Sequence, residues 1–296
     1  MILYYAVGGG LGHLTRARAL LHTLDIQEPA TILCSSPFGA DPRIAGPHQI
    51  KIIPRILMDE RKAYTIWFRK WLAEQNPSVI YVDAFPAGIL GELCGFAFTG
   101  GIRLIHIARF LCWKEYQQVL TGDLPPFERT LRVEPLDADQ SKVLQQQGGE
   151  NLNLSLADPP AFLDSDMKGI IQSQRKKQEP LWLIVHAGAV TEVQDLIDYA
   201  REMSQLESLA PKLLLVTPQR VNDCPCSILQ MDLYPATLLF PIADRIITAC
   251  GFNIMRQTES YKEKHRFIPF PRRFDDQFLR AARRRHPELS GDTCPD

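Results

Sequence analysis

Short runs of β-branched and aliphatic residues alternate along this chain with segments of helical spacing. Ile2–Val7 reads as a buried strand and runs into Gly8-Gly9-Gly10-Leu11-Gly12. Leu14, Ala17, Leu20, Leu21 and Leu24 then recur at helical spacing. Ala30–Cys34 reads as a second strand and Lys51–Ile53 as a short third. Ala63–Glu74 reads as an amphipathic helix that Asn76-Pro77 ends. Val79–Asp83 and Ile102–Ile107 are the next strands. A strand followed by a helix and another strand is the parallel βαβ unit, so the pattern predicts open α/β sheets.

The pattern lapses over Leu131–Gln178, which reads as a peripheral helix and a connector, and then restarts. Leu181–Val185 is predicted as a strand, Ala187-Gly188-Ala189 as a small-residue turn and Val193–Glu207 as a helix. Leu213–Thr217, Arg245–Ala249 and Arg266–Pro269 are predicted strands, and a last helix begins near Phe274. With 296 residues, two domains are expected, over 1–178 and 179–296, the second being the more compact.

Composition removes several function classes. Lys and Arg number 33 against 34 Asp and Glu, a net charge of -1, without the basic excess of a general phosphate-backbone binder. Nucleic acid is therefore not an expected partner. The longest apolar stretch, Ala84–Gly100, is interrupted by Glu92 and falls short of the roughly 18 residues that span a bilayer. Met1–Val7 has no basic leader and no cleavage-like ending, which argues against a signal peptide. The seven cysteines are odd in number, scattered and without a C-x-x-C pair. They read as small buried hydrophobes in a reducing cytoplasm. No metal site is expected.

The glycine loop sits between a strand and a helix, where Gly8, Gly9, Gly10 and Gly12 let the backbone approach a ligand. It is not a P-loop, because no lysine follows it. It departs from the dinucleotide fingerprint as well. His13 stands where the third glycine belongs, and the second strand ends in Cys34-Ser35-Ser36 without an acid. His13 therefore opens the helix at the carboxyl edge of the sheet, where a histidine can act as a general base near neutral pH. Asp83, ending the strand Val79–Val82, reaches the same edge and can orient the imidazole.

These residues resemble the nucleotide-sugar glycosyltransferases of the GT-B fold, in which the first strand opens into a glycine-rich loop ending in His. In plant-type UDP-sugar members that His is the base and pairs with an Asp at a strand end; Gly12-His13 and Asp83 match those positions. The second half is similar to the peptidoglycan N-acetylglucosaminyltransferase (MurG-like) group. Ala243-Asp244-Arg245-Ile246-Ile247-Thr248-Ala249-Cys250-Gly251 resembles its "aD-x-v-i-t-x-x-G" strand and turn. Glu259 falls where that group has its ribose-binding Glu. Pro269-Phe270-Pro271 followed by Asp275-Asp276-Gln277 resembles its donor-sugar segment. Asp276 replaces a His of that segment and Arg280 an Asn.

The resemblance implies two Rossmann-like domains whose parallel sheets face a cleft. It implies metal-independent, inverting transfer of a sugar from a nucleoside-diphosphate sugar, a UDP-sugar in the first instance, to a hydroxyl acceptor. His13 and Asp83 would be catalytic. Gly188, Gly251, Glu259, Asp275, Asp276 and Gln277 would hold the donor, with helix N-termini at the glycine turns taking the diphosphate. No cofactor is implied, since the nucleotide sugar is a co-substrate. A nucleotide-sugar 2-epimerase or hydrolase, or a non-catalytic nucleotide-sugar-binding protein, are the alternative readings. Trp67-Phe68-Arg69-Lys70-Trp71 reads as a core-facing helix, with an interfacial patch serving a lipid-linked acceptor at the inner membrane face as the rival. Arg272, Arg273, Arg280, Arg283, Arg284 and Arg285 read as a solvated face. His186 ends the first strand of the second half and reads as a plain strand-end histidine, with an approach to a diphosphate as the rival.

Overall fold

The computed structural model describes residues 1–98, 100–163, 165–174, 179–221 and 224–286. The chain divides into two compact units. One holds residues 1–159 together with the short segment 272–276; the other holds 160–271 and the helix that begins at Gln277. The expected boundary at Gln178 lies outside the described residues, as does Cys294.

The first unit is a seven-stranded parallel sheet. Its strands are β1 (Ile2–Ala6), β2 (Thr31–Cys34), β3 (Gln49–Ile52), β4 (Val79–Asp83), β5 (Arg103–Ala108), β6 (Arg129–Arg132) and β7 (Glu150–Asn153). Their order is β3-β2-β1-β4-β5-β6-β7. The inner strands are buried on both faces, which is why they read as continuous apolar runs. Leu3, Tyr5, Ile80 and Val82 pack on one face with Tyr64, Phe68 and Trp71 of the helix Arg61–Gln75. That helix ends where Asn76 adopts a left-handed conformation and caps back to Leu72, one residue before Pro77. Trp67 stacks on Trp71 with ring centroids 5.9 Å apart, so this aromatic run faces the core as expected.

The second unit is a five-stranded parallel sheet: β8 (Leu181–Val185), β9 (Lys212–Val216), β10 (Leu229–Met231), β11 (Arg245–Ala249) and β12 (His265–Ile268), ordered β10-β9-β8-β11-β12. The period-two alternation of a strand is visible in its cores. Leu181 and Leu183 enter one cluster, Trp182 and Ile184 the other. The helix Val190–Leu206 buries Val193, Leu196, Ile197 and Ala200, a single helical stripe.

The structure corrects three expectations. The segment after Leu131 is not only a helix and a connector. β6 and β7 extend the first sheet, with the helix Ala138–Gln146 between them. Both strands are short and polar; β7 is the edge strand and β6 lies between it and β5, and Arg129 pairs with Glu150 across the register at 2.7 Å; such sequences carry no hydrophobic period. β10, of three residues, is likewise too short to show one. The last helix starts at Gln277 rather than Phe274, because residues 272–276 are drawn into the first unit. Of the six described cysteines, all free, Cys34 and Cys250 are fully buried, whereas Cys226 is exposed. Among the described residues no helix is long and apolar enough to cross a membrane.

Candidate functional site

Strand order fixes where a ligand can bind. In the first sheet the order reverses between β1 and β4, and in the second between β8 and β11. The crevice outside the carboxyl ends of such strand pairs is the usual site of an open α/β sheet. His13 follows β1 and Asp83 ends β4. Gly188 follows β8 and Gly251 follows β11.

At the first reversal the imidazole Nδ1 of His13 lies 2.5 Å from Asp83 Oδ2. Asp83 is fully buried and held on every side. Arg16 donates from Nε to Oδ1 and from Nη2 to Oδ2, both at 2.6 Å, and Tyr4 donates its hydroxyl to Oδ1 at 2.9 Å. Burial alone would raise the Asp83 carboxyl, but Arg16 and His13 hold it far below the usual carboxylate range. An ionised carboxylate only accepts hydrogen bonds, so Nδ1 carries the proton and Nε2 carries the lone pair. His13 itself is shifted down. Burial, seconded by Arg16 and Arg109, outweighs the upward pull of Asp83. The imidazole is therefore neutral at pH 7, the state in which it can accept a proton.

Glycine at position 8 is a steric requirement. A Cβ there would sit 2.1 Å from His13 Nε2. A Cβ at Gly9 would meet open space, and one at Gly10 only an ordinary contact with Gly12 N at 3.9 Å. The Gly8 amide donates to Ser35 Oγ at 3.1 Å, which ties the loop to the end of β2 where a dinucleotide fold keeps its acid. The helix Leu11–Thr23 begins at this loop without a side-chain cap. Beyond Asp83 the chain turns sharply through Ala84, at φ 62°. That left-handed residue is held by its own amide to Ile107 O (2.9 Å) and by His106 Nε2, which donates to its carbonyl at 3.2 Å. Burial pushes His106 down to about 4, so it acts as a neutral donor.

At the second reversal His186 Nε2 meets Glu192 Oε2 at 2.7 Å, and a Cβ on Gly188 would collide with both. Gly251 caps the helix Phe252–Gln257 in extended conformation. Gln277 is buried, and its Oε1 accepts from the Cys250 and Phe270 amides, each at 3.1 Å. It thereby joins the ends of β11 and β12. Glu259 is exposed and pairs with Lys262 and, at 3.0 Å, with Arg284. Of the carboxyl-terminal arginines, Arg272, Arg273 and Arg285 are exposed as expected, whereas Arg280, Arg283 and Arg284 are half-buried. Arg280 donates to Cys250 O at 2.9 Å, and Arg284 to Met255 O.

The structure thus brings His13 and Asp83 together at one site and gathers Gly188, Gly251 and Gln277 at the carboxyl edge of the other sheet. Asp275 and Asp276 lie in the segment 272–276 of the first unit. There Arg109 Nη1 donates to Asp275 Oδ1 at 2.8 Å, and Cys112 N donates to Phe274 O at 3.2 Å. Sequence reasoning missed Arg16, Tyr4 and Arg109. Arg16 carried a signal, since it lies three residues after His13 on the same helical face.

No protein-family model matches the sequence, and no curated protein matches it. Solved structures do match its fold. The glycotransferase of kitacinnamycin aligns at TM-score 0.54 and 15% identity over 99% of this chain and 91% of that one. The spinosyn rhamnosyltransferase SpnG, complexed with thymidine diphosphate, aligns at TM-score 0.56 and 13% identity over 99% and 88%. A putative UDP-N-acetylglucosamine 2-epimerase from Listeria monocytogenes aligns at TM-score 0.53 and 12% identity over 86% and 75%. The chain has the GT-B fold of nucleotide-sugar glycosyltransferases.

Proposed function

We propose that this chain is a glycosyltransferase that moves a sugar from a nucleoside-diphosphate sugar to a hydroxyl acceptor with inversion. The observation that carries the reading is the His13–Asp83 pair at 2.5 Å, with Nδ1 committed and Nε2 left as the basic atom, at the reversal point of the first sheet. The hydroxyl proton passes to Nε2 while the oxygen attacks the anomeric carbon and the bond to the diphosphate breaks. Asp83 stabilises the imidazolium. The amino end of the helix Val190–Leu206, behind Gly188, and the turn at Gly251 take the charge of the leaving diphosphate, so the step needs no metal ion. Glu259 is proposed for the ribose hydroxyls and Asp276 for the sugar. Gln277, whose oxygen is spent on two backbone amides, offers its NH2.

The fold likeness to SpnG and to the kitacinnamycin enzyme supports this reading. The likeness to a putative 2-epimerase supports a second one, in which the sugar is rearranged or released without an acceptor. Incubation with UDP-sugar alone separates the two: transfer predicts an intact donor, whereas epimerisation or hydrolysis predicts a new sugar product. The base is tested by H13A, for which transfer should fall by roughly 100- to 10,000-fold while nucleotide binding persists. Unchanged transfer would remove His13 from the chemistry. In a thermal-shift series, UDP should stabilise the chain more than GDP, dTDP or NAD.

A further inference from the structure

Asp275 resembles part of a donor-sugar segment, yet its carboxylate is spent inside the first unit on Arg109, in a pair whose side chains are 9% and 14% exposed. Arg109 directly follows β5, the strand beside β4 and Asp83. Its guanidinium carbon lies 6.0 Å from the centre of the Phe85 ring, and the His13 ring lies 5.8 Å from that same centre. The backbone there is fixed. Gln140 donates to Arg109 O at 2.9 Å, and Phe110 N donates to Glu134 Oε1 at 3.0 Å. The Phe274 ring packs on Phe85 at 5.6 Å, which seats the residue beside Asp275 in the same cluster.

The charged and titratable groups around His13 come from six segments of the chain, Glu134 from just beyond the end of β6 and Asp275 from residues 272–276 among them. Arg16 lies on its own helix, Tyr4 on β1, Asp83 on β4 with His106 on β5 beside it, and Arg109 follows β5 with Glu134 and Asp275 beyond. Arg16 is neutralised side-on by Asp83. Arg109 needs its own counter-ion, because a second cation beside an imidazole disfavours the protonated ring. We propose that Asp275 is a positioning residue on the base side of the site, where it holds the Arg109 guanidinium and offsets its charge beside His13, rather than a ligand of the donor sugar. The inference rests on His13 being the base.

The test is a titration of the isotope-labelled His13 ring by NMR in the full chain, for the wild type, D275N and R109M/D275N. Asn keeps an amide oxygen for Arg109, so D275N removes charge while preserving the contact. The midpoint should fall by about one pH unit in D275N. It should return toward the wild-type value in R109M/D275N, where the Arg109 charge is gone as well. Affinity for UDP-glucose, read by calorimetry, should be unchanged in D275N. An unmoved midpoint, or a loss of UDP-glucose affinity with the midpoint unmoved, would overturn the proposal and return Asp275 to the donor. The midpoint needs no turnover, so it is separate from the H13A result, in which retained transfer defeats the base assignment alone.

Discussion

Arg16 grips Asp83 side-on, Nε to Oδ1 and Nη2 to Oδ2, each at 2.6 Å, with the carboxylate wholly buried. Removing one partner of a buried ion pair strands the other's charge. R16M should therefore destabilise the chain by about 3–5 kcal/mol in urea unfolding. R16K keeps the charge without the planar fork and should fall between R16M and the wild type.

The contact between Gly8 and the imidazole gives a catalytic prediction that leaves the fold intact. Gly8 is not in the left-handed region, so alanine fits its backbone, but the added Cβ must displace Nε2. G8A should unfold like the wild type and lose about 100-fold in transfer rate, the penalty for misplacing a reacting atom. Unfolding curves and kcat measured on one preparation separate the two effects.

How far the sequence revealed this site depends on the distance over which each feature acts. The order of β1, the glycine loop, His13 and the end of β4 is local, written in apolar runs and punctuated by glycine, so it could be read directly. The pairing of His13 with Asp83 followed from parallel topology, since both lie at carboxyl strand ends. Tyr4 was not legible as a ligand. It looks like any residue of a buried strand, and only the register that sets Tyr4 beside Tyr81 aims its hydroxyl two residues on, at Asp83. Arg109 was hidden for the same reason, because its counter-ion comes from 166 residues away. The strands Arg129–Arg132 and Glu150–Asn153 left no trace, since each has four residues with too few apolar ones to show a period, and Glu150–Asn153, at the sheet's edge, has one side without a partner strand.

Acid should weaken the protein through its buried histidines. Burial pushes His106 down to about 4 and His265, beside Arg284 and Arg266, down to about 3. Unfolded imidazole takes its proton near pH ~6.5. Between those values the unfolded chain binds the extra proton, so stability declines as pH drops from about 6.5 toward 4. His106 alone accounts for up to about 3 kcal/mol of that decline. Asp83 stays ionised in both states through most of this window and adds little to the slope. Urea unfolding at neutral pH and at moderately acid pH should show a smaller loss in H106Q than in the wild type.

Gln277 is expected to act on the second sheet as well as on any donor. Q277M keeps the bulk of the side chain but leaves the Cys250 and Phe270 amides without their acceptor. Each unpaired buried amide costs about 1–3 kcal/mol. Hydrogen exchange at those two amides should accelerate in Q277M, and the change should stay local to the ends of β11 and β12.

The crowding at Asp83 also governs how the base would be reset. Tyr4 and Arg16 occupy one oxygen, Arg16 and His13 the other. A carboxylate with both oxygens doubly engaged has no vacancy for a proton, so none can be relayed inward through the ring. A proton taken up at Nε2 would therefore leave by Nε2, toward the face from which the proposed acceptor would arrive. If His13 is the base as proposed, the site has a single port for substrate oxygen and for proton, and a product held over it would delay the next turnover by blocking both.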